Sequence, residues 1–72
     1  MVRCLNRMSD RQLVAAYDWL KSLGRINPGS GCYRPLLNAN LIREGGSPHK
    51  LKYLLVALSM EINMRIDADE FH

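Results

Sequence analysis

Two cysteines and two histidines are the residues of this sequence best suited to metal binding or catalysis, and they are widely separated along the chain. Cys4, Cys32, His49 and His72 form neither a C-x-x-C nor an H-x₃-H pair, the spacings at which a fold brings metal ligands together. The acidic segment at 67–72 lacks the glycine and the final glutamate of a calcium-binding loop. The sequence therefore predicts no metal site.

A nucleophilic cysteine is the nearest approach to a catalytic group. Cys32 precedes a predicted helix, at a position where the helix dipole favours anions, and Arg34 follows closely. His49 would have to act as the base, but no third residue is placed to orient it. A glycine pair has the spacing of a phosphate loop, yet the lysine that such a loop requires is absent. We expect no enzyme activity, no cofactor and no small-molecule substrate.

Positive charge is concentrated in an N-terminal run of arginines and in the segment 49–52. Residues 37–55 resemble a helix-turn-helix, whose second helix inserts its first residues into the major groove of DNA. Leucines occupy some of the expected apolar positions, whereas Asn40 and Glu44 stand where that motif is usually apolar. DNA binding is therefore the alternative function. The residues predicted to carry it are Arg34, His49, Lys50 and Lys52.

Three helices are predicted to position these residues. The first, at 10–23, follows the capping box that begins at Ser9 and ends before Gly24, which suits the left-handed conformation. The second, at 35–44, is short and apolar. The third, at 48–66, has Ser47 as its N-cap and Pro48 in its first turn. The pattern predicts an all-α fold, a small helical hairpin of two main antiparallel helices with a short bridging helix.

One helical domain is expected at 9–66, between a mobile basic arm at 1–8 and an acidic C-terminal tail at 67–72. Its core is predicted from the helical spacing of apolar residues. The predicted core residues are Leu13, Tyr17, Leu20, Leu37, Leu41, Leu51, Leu54, Leu55, Leu58 and Ile62.

The third predicted helix carries more apolar residues than one core contact requires, and the first shows a similar excess. The second apolar stripe is either covered by the bridging helix and the loop 25–34, or paired with a second copy, or bound to another protein. Met and aromatic side chains suit an interaction surface of this kind. The predicted partner-binding residues, with Arg65 as a charge at the rim, are Trp19, Tyr53, Val56, Met60, Met64 and Arg65.

The length and composition bound the function. The chain has 72 residues, of which 47% are hydrophobic, and its net charge is +3. A core of this size seldom leaves more than about 3–5 kcal/mol of net stability, so a disulfide, a metal or a second subunit is often added. We find no secretory signal and no apolar run of membrane-spanning length, so we expect a cytoplasmic protein that binds no membrane. Whether Cys4 and Cys32 pair stays open.

These features together predict a function that depends on binding. We expect a small non-enzymatic regulator or inhibitor that acts by helix-mediated protein–protein binding, as a homodimer and on a protein target. Its size and its lack of catalytic motifs are typical of the accessory proteins of phages and other mobile elements, which is an analogy of character alone.

Overall fold

The computed structural model describes residues 4–68, and its regular elements are helices. They are α1 (Cys4–Arg7), α2 (Asp10–Leu23), α3 (Tyr33–Asn38) and α4 (Leu51–Asp67). Asp10 in the first turn of α2 lies 2.6 Å from Arg65 in the last turn of α4, so the two long helices are antiparallel. The predicted all-α hairpin is confirmed. None of the helices within residues 4–68 is long and apolar enough to cross a membrane.

Helix α2 begins and ends where the sequence predicts. The Gln12 amide donates to Ser9 Oγ at 3.1 Å, and the Ser9 amide donates to Gln12 Oε1 at 2.9 Å. This reciprocal pair satisfies two backbone donors that a helix start leaves without partners. Gly24 adopts a left-handed φ of 73° and its amide donates to the Leu20 carbonyl. The predicted range 10–23 is thus confirmed by both caps.

The packed domain extends further toward the N-terminus than residue 9. Residues 1–8 were predicted to form a basic arm, but Cys4–Arg7 are helical and Leu5 and Met8 are buried in the core. Two apolar residues three positions apart suffice to dock one helical turn on a neighbouring helix, here α4. Residues 1–3 lie outside the described part of the chain.

The predicted bridging helix at 35–44 is wrong in its extent, since α3 ends at Asn38. Asn40 has a left-handed φ of 62°, and the chain continues as a loop over residues 39–50. Within that loop Ile42 forms an antiparallel bridge with Pro48, and the Arg43 amide donates to the Ser47 carbonyl at 2.7 Å. In the sequence, the apolar residues at 36–42 resembled one helix. The reason is that α3 and the loop after it each bury an apolar side chain in the core.

The same loop delays the start of α4. The helix begins at Leu51 after Lys50 as N-cap, so the prediction of Ser47 as cap and Pro48 in the first turn is wrong. A helix-turn-helix joins its helices by about three or four residues. The connection here covers residues 39–50, so the predicted motif over 37–55 is not formed.

The core lies between the four helices and the loops at 24–32 and 39–50, all of which contribute buried side chains. Of the predicted core residues, Leu13, Leu20, Leu54 and Leu58 are fully buried. Leu51 is 38% exposed, so its assignment to the core is wrong, because the later start of α4 places it at the helix end. The other predicted members pack partly buried against this core: Tyr17, Leu37, Leu41, Leu55 and Ile62. The buried apolar side chains that the prediction missed are those of Leu5, Met8, Ala16, Ile26, Cys32, Leu36 and Ile42.

Candidate interaction surface

The surface of α4 that faces away from the core carries a row of apolar side chains. Tyr53, Val56, Met60 and Met64 follow one another at intervals of three or four residues, which places them on one side of a helix. Their exposed fractions are 52%, 57%, 49% and 49%. We call these four residues the α4 stripe. They were predicted to bind a partner, and the structure places them side by side.

The stripe is exposed because α4 is apolar on more than one side while the rest of the chain packs on one side only. Leu54, Leu58 and Glu61 are the buried residues of α4. They lie about 100–160° around the helix from Met60, and α1 and α2 pack against α4. Neither α3 nor the segment 25–34 covers the stripe. The first alternative from the sequence, in which the bridging helix and this segment fold over the second apolar stripe, is therefore not the one that the structure adopts.

Trp19 does not extend the stripe. Its side chain is half-buried and packs against the core. On α2 it shares a flank with Gln12, whose Nε2 donates to the Gly31 carbonyl at 3.1 Å, so this flank faces the loop at 24–32. The other flank, with Val14 and Tyr17, meets α4. Trp19 and α4 therefore lie on different sides of α2, and the part of Trp19 in binding a partner stays a prediction.

Arg65 is an internal connector in the structure, whereas the sequence predicted a charge at the rim of the interface. Its Nη1 donates to Asp10 Oδ1 at 2.6 Å and its Nε donates to Glu61 Oε2 at 3.0 Å. Its Nη2 donates to the carbonyls of Leu5 and Met8 at 3.0 and 2.8 Å, at the C-terminal end of α1. The guanidinium thus joins α1, α2 and α4, because its planar fork offers donors in several directions at once.

Burial and the neighbouring carboxylates shift the pKa of Arg65 in opposite directions. Burial alone lowers the pKa of Arg65, but hydrogen bonds and Coulombic attraction from Asp10 and Glu61 outweigh it and raise the pKa above its ordinary value. Glu61 is 7% exposed, and its Oε1 has no hydrogen-bond partner among the described residues. The i, i+4 spacing of Glu61 and Arg65 was the sequence signal for this pair. The Asp10 contact joins residues distant in sequence and gave no such signal.

The predicted nucleic-acid residues are only partly brought together. His49, Lys50 and Lys52 are exposed around the start of α4. His49 and Lys50 line a shallow pocket of about 270 Å³ together with Tyr53 of the stripe. Arg34 is exposed on α3 and does not line that pocket. The first turn of α4 is thus a cationic end beside the apolar stripe.

The residues considered as metal ligands are not assembled into a site within residues 4–68. No group of three or more His, Cys, Asp or Glu side chains is placed to hold a metal in that range, and His72 lies outside it. Cys32 is buried and free, and the side chain of Cys4 lies outside the described part of the structure. Its sulfur lies 2.9 Å from Ser30 Oγ.

The chemistry that this surface offers is therefore apolar contact along α4 and positive charge at the start of that helix. Neither feature selects a reaction, and both suit the recognition of another macromolecule. Comparison of the chain with protein-family models, curated proteins and solved structures found no match.

Proposed function

We propose that this protein is a small non-enzymatic regulator or inhibitor that acts by binding protein through the α4 stripe, and that it works as a homodimer. The observation that carries the proposal is the stripe itself: Tyr53, Val56, Met60 and Met64 are about half exposed on one side of the longest helix. Small monomeric proteins seldom present a continuous apolar row of this kind unless something covers it.

The side chains of the stripe suit binding better than they suit an accidental surface. Tyr53 is an amphipathic aromatic residue of the type that anchors protein interfaces. Met60 and Met64 are flexible and polarizable, so they can adapt to a partner surface. Burying such side chains gains about 25 cal/mol for each Å² of apolar surface removed from water. A helix laid in a groove of the partner would use this gain directly.

The mechanism we propose is occlusion. A partner that covers the stripe would also meet the cationic end of α4, where Lys50 and Lys52 would set orientation and association rate. Arg65 is not part of that rim, since its donors are occupied within the chain. An accessory regulator of the type found in phages and mobile elements would act in this way, by blocking a surface and not by chemistry.

The test compares two substitutions that add the same charge to the same helix. Met60→Asp puts a carboxylate in the middle of the stripe, whereas Ile66→Asp puts one at an exposed position about 120° away around α4. Sedimentation velocity should show concentration-dependent self-association for the wild type and for Ile66→Asp, and a monomer for Met60→Asp. A purified partner retained by the wild type should also be lost with Met60→Asp alone. Equal behaviour of all three proteins would refute the proposal.

Nucleic-acid binding is the second candidate, and the grouping of His49, Lys50 and Lys52 at one end of α4 favours it. Binding by these cations would weaken as salt rises, because each neutralised phosphate releases a counterion. Reversal of charge at Lys50 and Lys52 should lower the affinity for a DNA duplex and flatten its salt dependence. Met60→Asp should leave this binding nearly unchanged, which separates the two candidates.

A further inference from the structure

The charges at the two ends of α4 oppose the dipole of the helix that carries them. Lys50 is the N-cap and Lys52 is in the first turn, which contains no acidic residue, while Asp67 is the last residue of the helix. A helix favours anions at its N-terminal end and cations at its C-terminal end. The cation of the last turn, Arg65, is held by Asp10 and Glu61. Within its own chain α4 therefore has its exposed charges at the unfavourable ends.

These charges also flank the α4 stripe on one side. Lys52 and Asp67 are both exposed, and their separation in sequence places them about 60° apart around the helix axis. Both lie on the Val56 side of Met60. A partner helix that covers the stripe would therefore pass close to both charges, with Lys52 at one end and Asp67 at the other.

We infer that α4 pairs with α4 of a second copy in an antiparallel arrangement, an inference that rests on the proposed function of the stripe. A two-fold axis at the middle of the stripe places Tyr53 at the level of Met64 of the second copy. The stripe spans about 16.5 Å from Tyr53 to Met64, so the four side chains of each helix cover those of the other. Tyr53 then contacts a methionine sulfur, a favourable pairing for an aromatic ring.

The same axis matches the charges. Along the helix axis, Lys50 of each copy lies opposite Asp67 of the other, and Lys52 lies two residues from that position. Opposite charges therefore meet at both ends of the pair. Each cation then lies beside the C-terminal end of a neighbouring helix, and Asp67 lies beside an N-terminal end, which are the ends that favour them. A parallel pair would place like charges together at both ends. Charge complementarity thus selects a second copy of this chain, in the antiparallel direction, as the occupant of the stripe.

An interface of one helix pair is small, so we expect a transient dimer with a Kd on the order of micromolar. Sedimentation equilibrium over concentrations from about 0.1 µM to about 1 mM covers that Kd and the weaker association of variants. The two variants are Lys52→Glu and Asp67→Lys. Each is measured alone, and the two are then measured together in an equimolar mixture, all at low salt. Both side chains are exposed, so both variants should keep the helical circular dichroism of the wild type.

Each variant alone should self-associate about ten-fold more weakly than the wild type, because two attractive pairs become repulsive. In a mixed pair, the carboxylate introduced by Lys52→Glu faces the ammonium introduced by Asp67→Lys. The other end of that pair keeps the wild-type contact of Lys52 with Asp67, so association should return to the wild-type strength. The recovered association should weaken as salt rises. In a parallel pair each variant alone would associate as the wild type does, because like charges would still meet at both ends, and the mixture would associate more tightly than the wild type. Weakening of both single variants, with recovery to the wild-type strength and not beyond it, is therefore specific to an antiparallel pair.

Two other results would overturn the inference, and they differ in what they say about the proposed function. If the mixture associates no better than the single variants while Met60→Asp still abolishes association, the antiparallel register is wrong and the stripe remains the binding surface. If the wild type stays monomeric up to about 1 mM, the second copy is not the occupant, and the homodimer in the proposed function fails with it.

Discussion

Gly46 occupies a position in the loop 39–50 that other residues cannot share. Its φ is +101°, and a Cβ atom built there would lie 1.7 Å from the Ile26 carbonyl oxygen. The Ile26 amide donates to the Gly46 carbonyl at 2.8 Å, so the two backbones are in direct contact. This contact joins the loop after α2 to the loop before α4. One glycine therefore fixes how the two loops close over the buried side chains of Ile26 and Ile42.

We predict that Gly46→Ala lowers the free energy of unfolding by about 2–5 kcal/mol, since it adds both backbone strain and a steric clash. Gly45→Ala is the matched control, because Gly45 has a φ of +96° but no atom lies within 4 Å of the place that its Cβ would take. The control should lose about 1–2 kcal/mol, from the backbone conformation alone. Urea denaturation followed by circular dichroism measures both. Equal losses would show that the backbone contact with Ile26 is dispensable.

Arg65 shows how a residue predicted at an interface can instead hold the monomer together. Its hydrogen bonds to Asp10, to Glu61 and to the carbonyls of Leu5 and Met8 join three helices. The raised pKa of Arg65 lies far above any pH at which the protein would be handled, so the guanidinium stays charged throughout. Removing it would leave the Glu61 carboxylate buried with no cation beside it.

Arg65→Met is therefore expected to cost about 3–5 kcal/mol, the usual penalty for breaking a buried ion pair from one side. Adding Glu61→Gln to this variant should recover part of the loss, because a neutral amide is less costly to bury than a carboxylate. Arg11→Met, at an exposed position on α2, is the control and should change stability by less than about 0.5 kcal/mol. Thermal unfolding measures all three. No recovery in the double variant would mean that the carboxylate charge is not what Arg65 compensates.

At the scale of the elements, local signals decided which helices could be predicted. Helix α2 has a capping box and a following glycine, both of which act within a few residues, and its predicted range 10–23 is confirmed. Helix α3 has no side-chain cap at its start, and Asn40 closes its end in the left-handed conformation, with the Leu41 amide donating to the Leu36 carbonyl. Asparagine marks a helix end less clearly than glycine, so the predicted helix ran on to residue 44. The start of α4 was misplaced because Pro48 pairs with Ile42 within the loop, a contact that the local pattern does not encode. Its apolar stripe was predictable, since helical spacing alone defines it.

The capping box gives a prediction at this scale. Ser9→Ala removes the acceptor of the Gln12 amide and should lower the free energy of unfolding by about 1 kcal/mol. Ser22→Ala, an exposed serine within the same helix that makes no cap, should be neutral or slightly stabilising, because alanine favours helix. Urea midpoints of the two variants provide the comparison. A loss as large in Ser22→Ala would mean that the cap contributes nothing.

At the scale of the molecule, the sequence identified the stripe but not what surrounds it. Helical spacing placed Tyr53, Val56, Met60 and Met64 together because one helix carries all four. It could not show that Trp19 lies on the far flank of α2, since that depends on how two helices pack. It could not show the role of Arg65 either, because the Asp10 and Leu5 contacts come from the other end of the chain.

A core this small can be completed by a second copy, and the melting temperature should then reveal it. If the α4 stripe is covered in this way, folding is linked to association, and the melting temperature rises with protein concentration. A hundred-fold increase in concentration should raise the wild-type Tm by about 5 °C or more. Met60→Asp should melt at a temperature that does not depend on concentration, while Ile66→Asp should keep the wild-type slope. Differential scanning calorimetry at several concentrations makes the comparison. A flat wild-type curve would mean that the monomer is already complete and that the stripe serves a different partner.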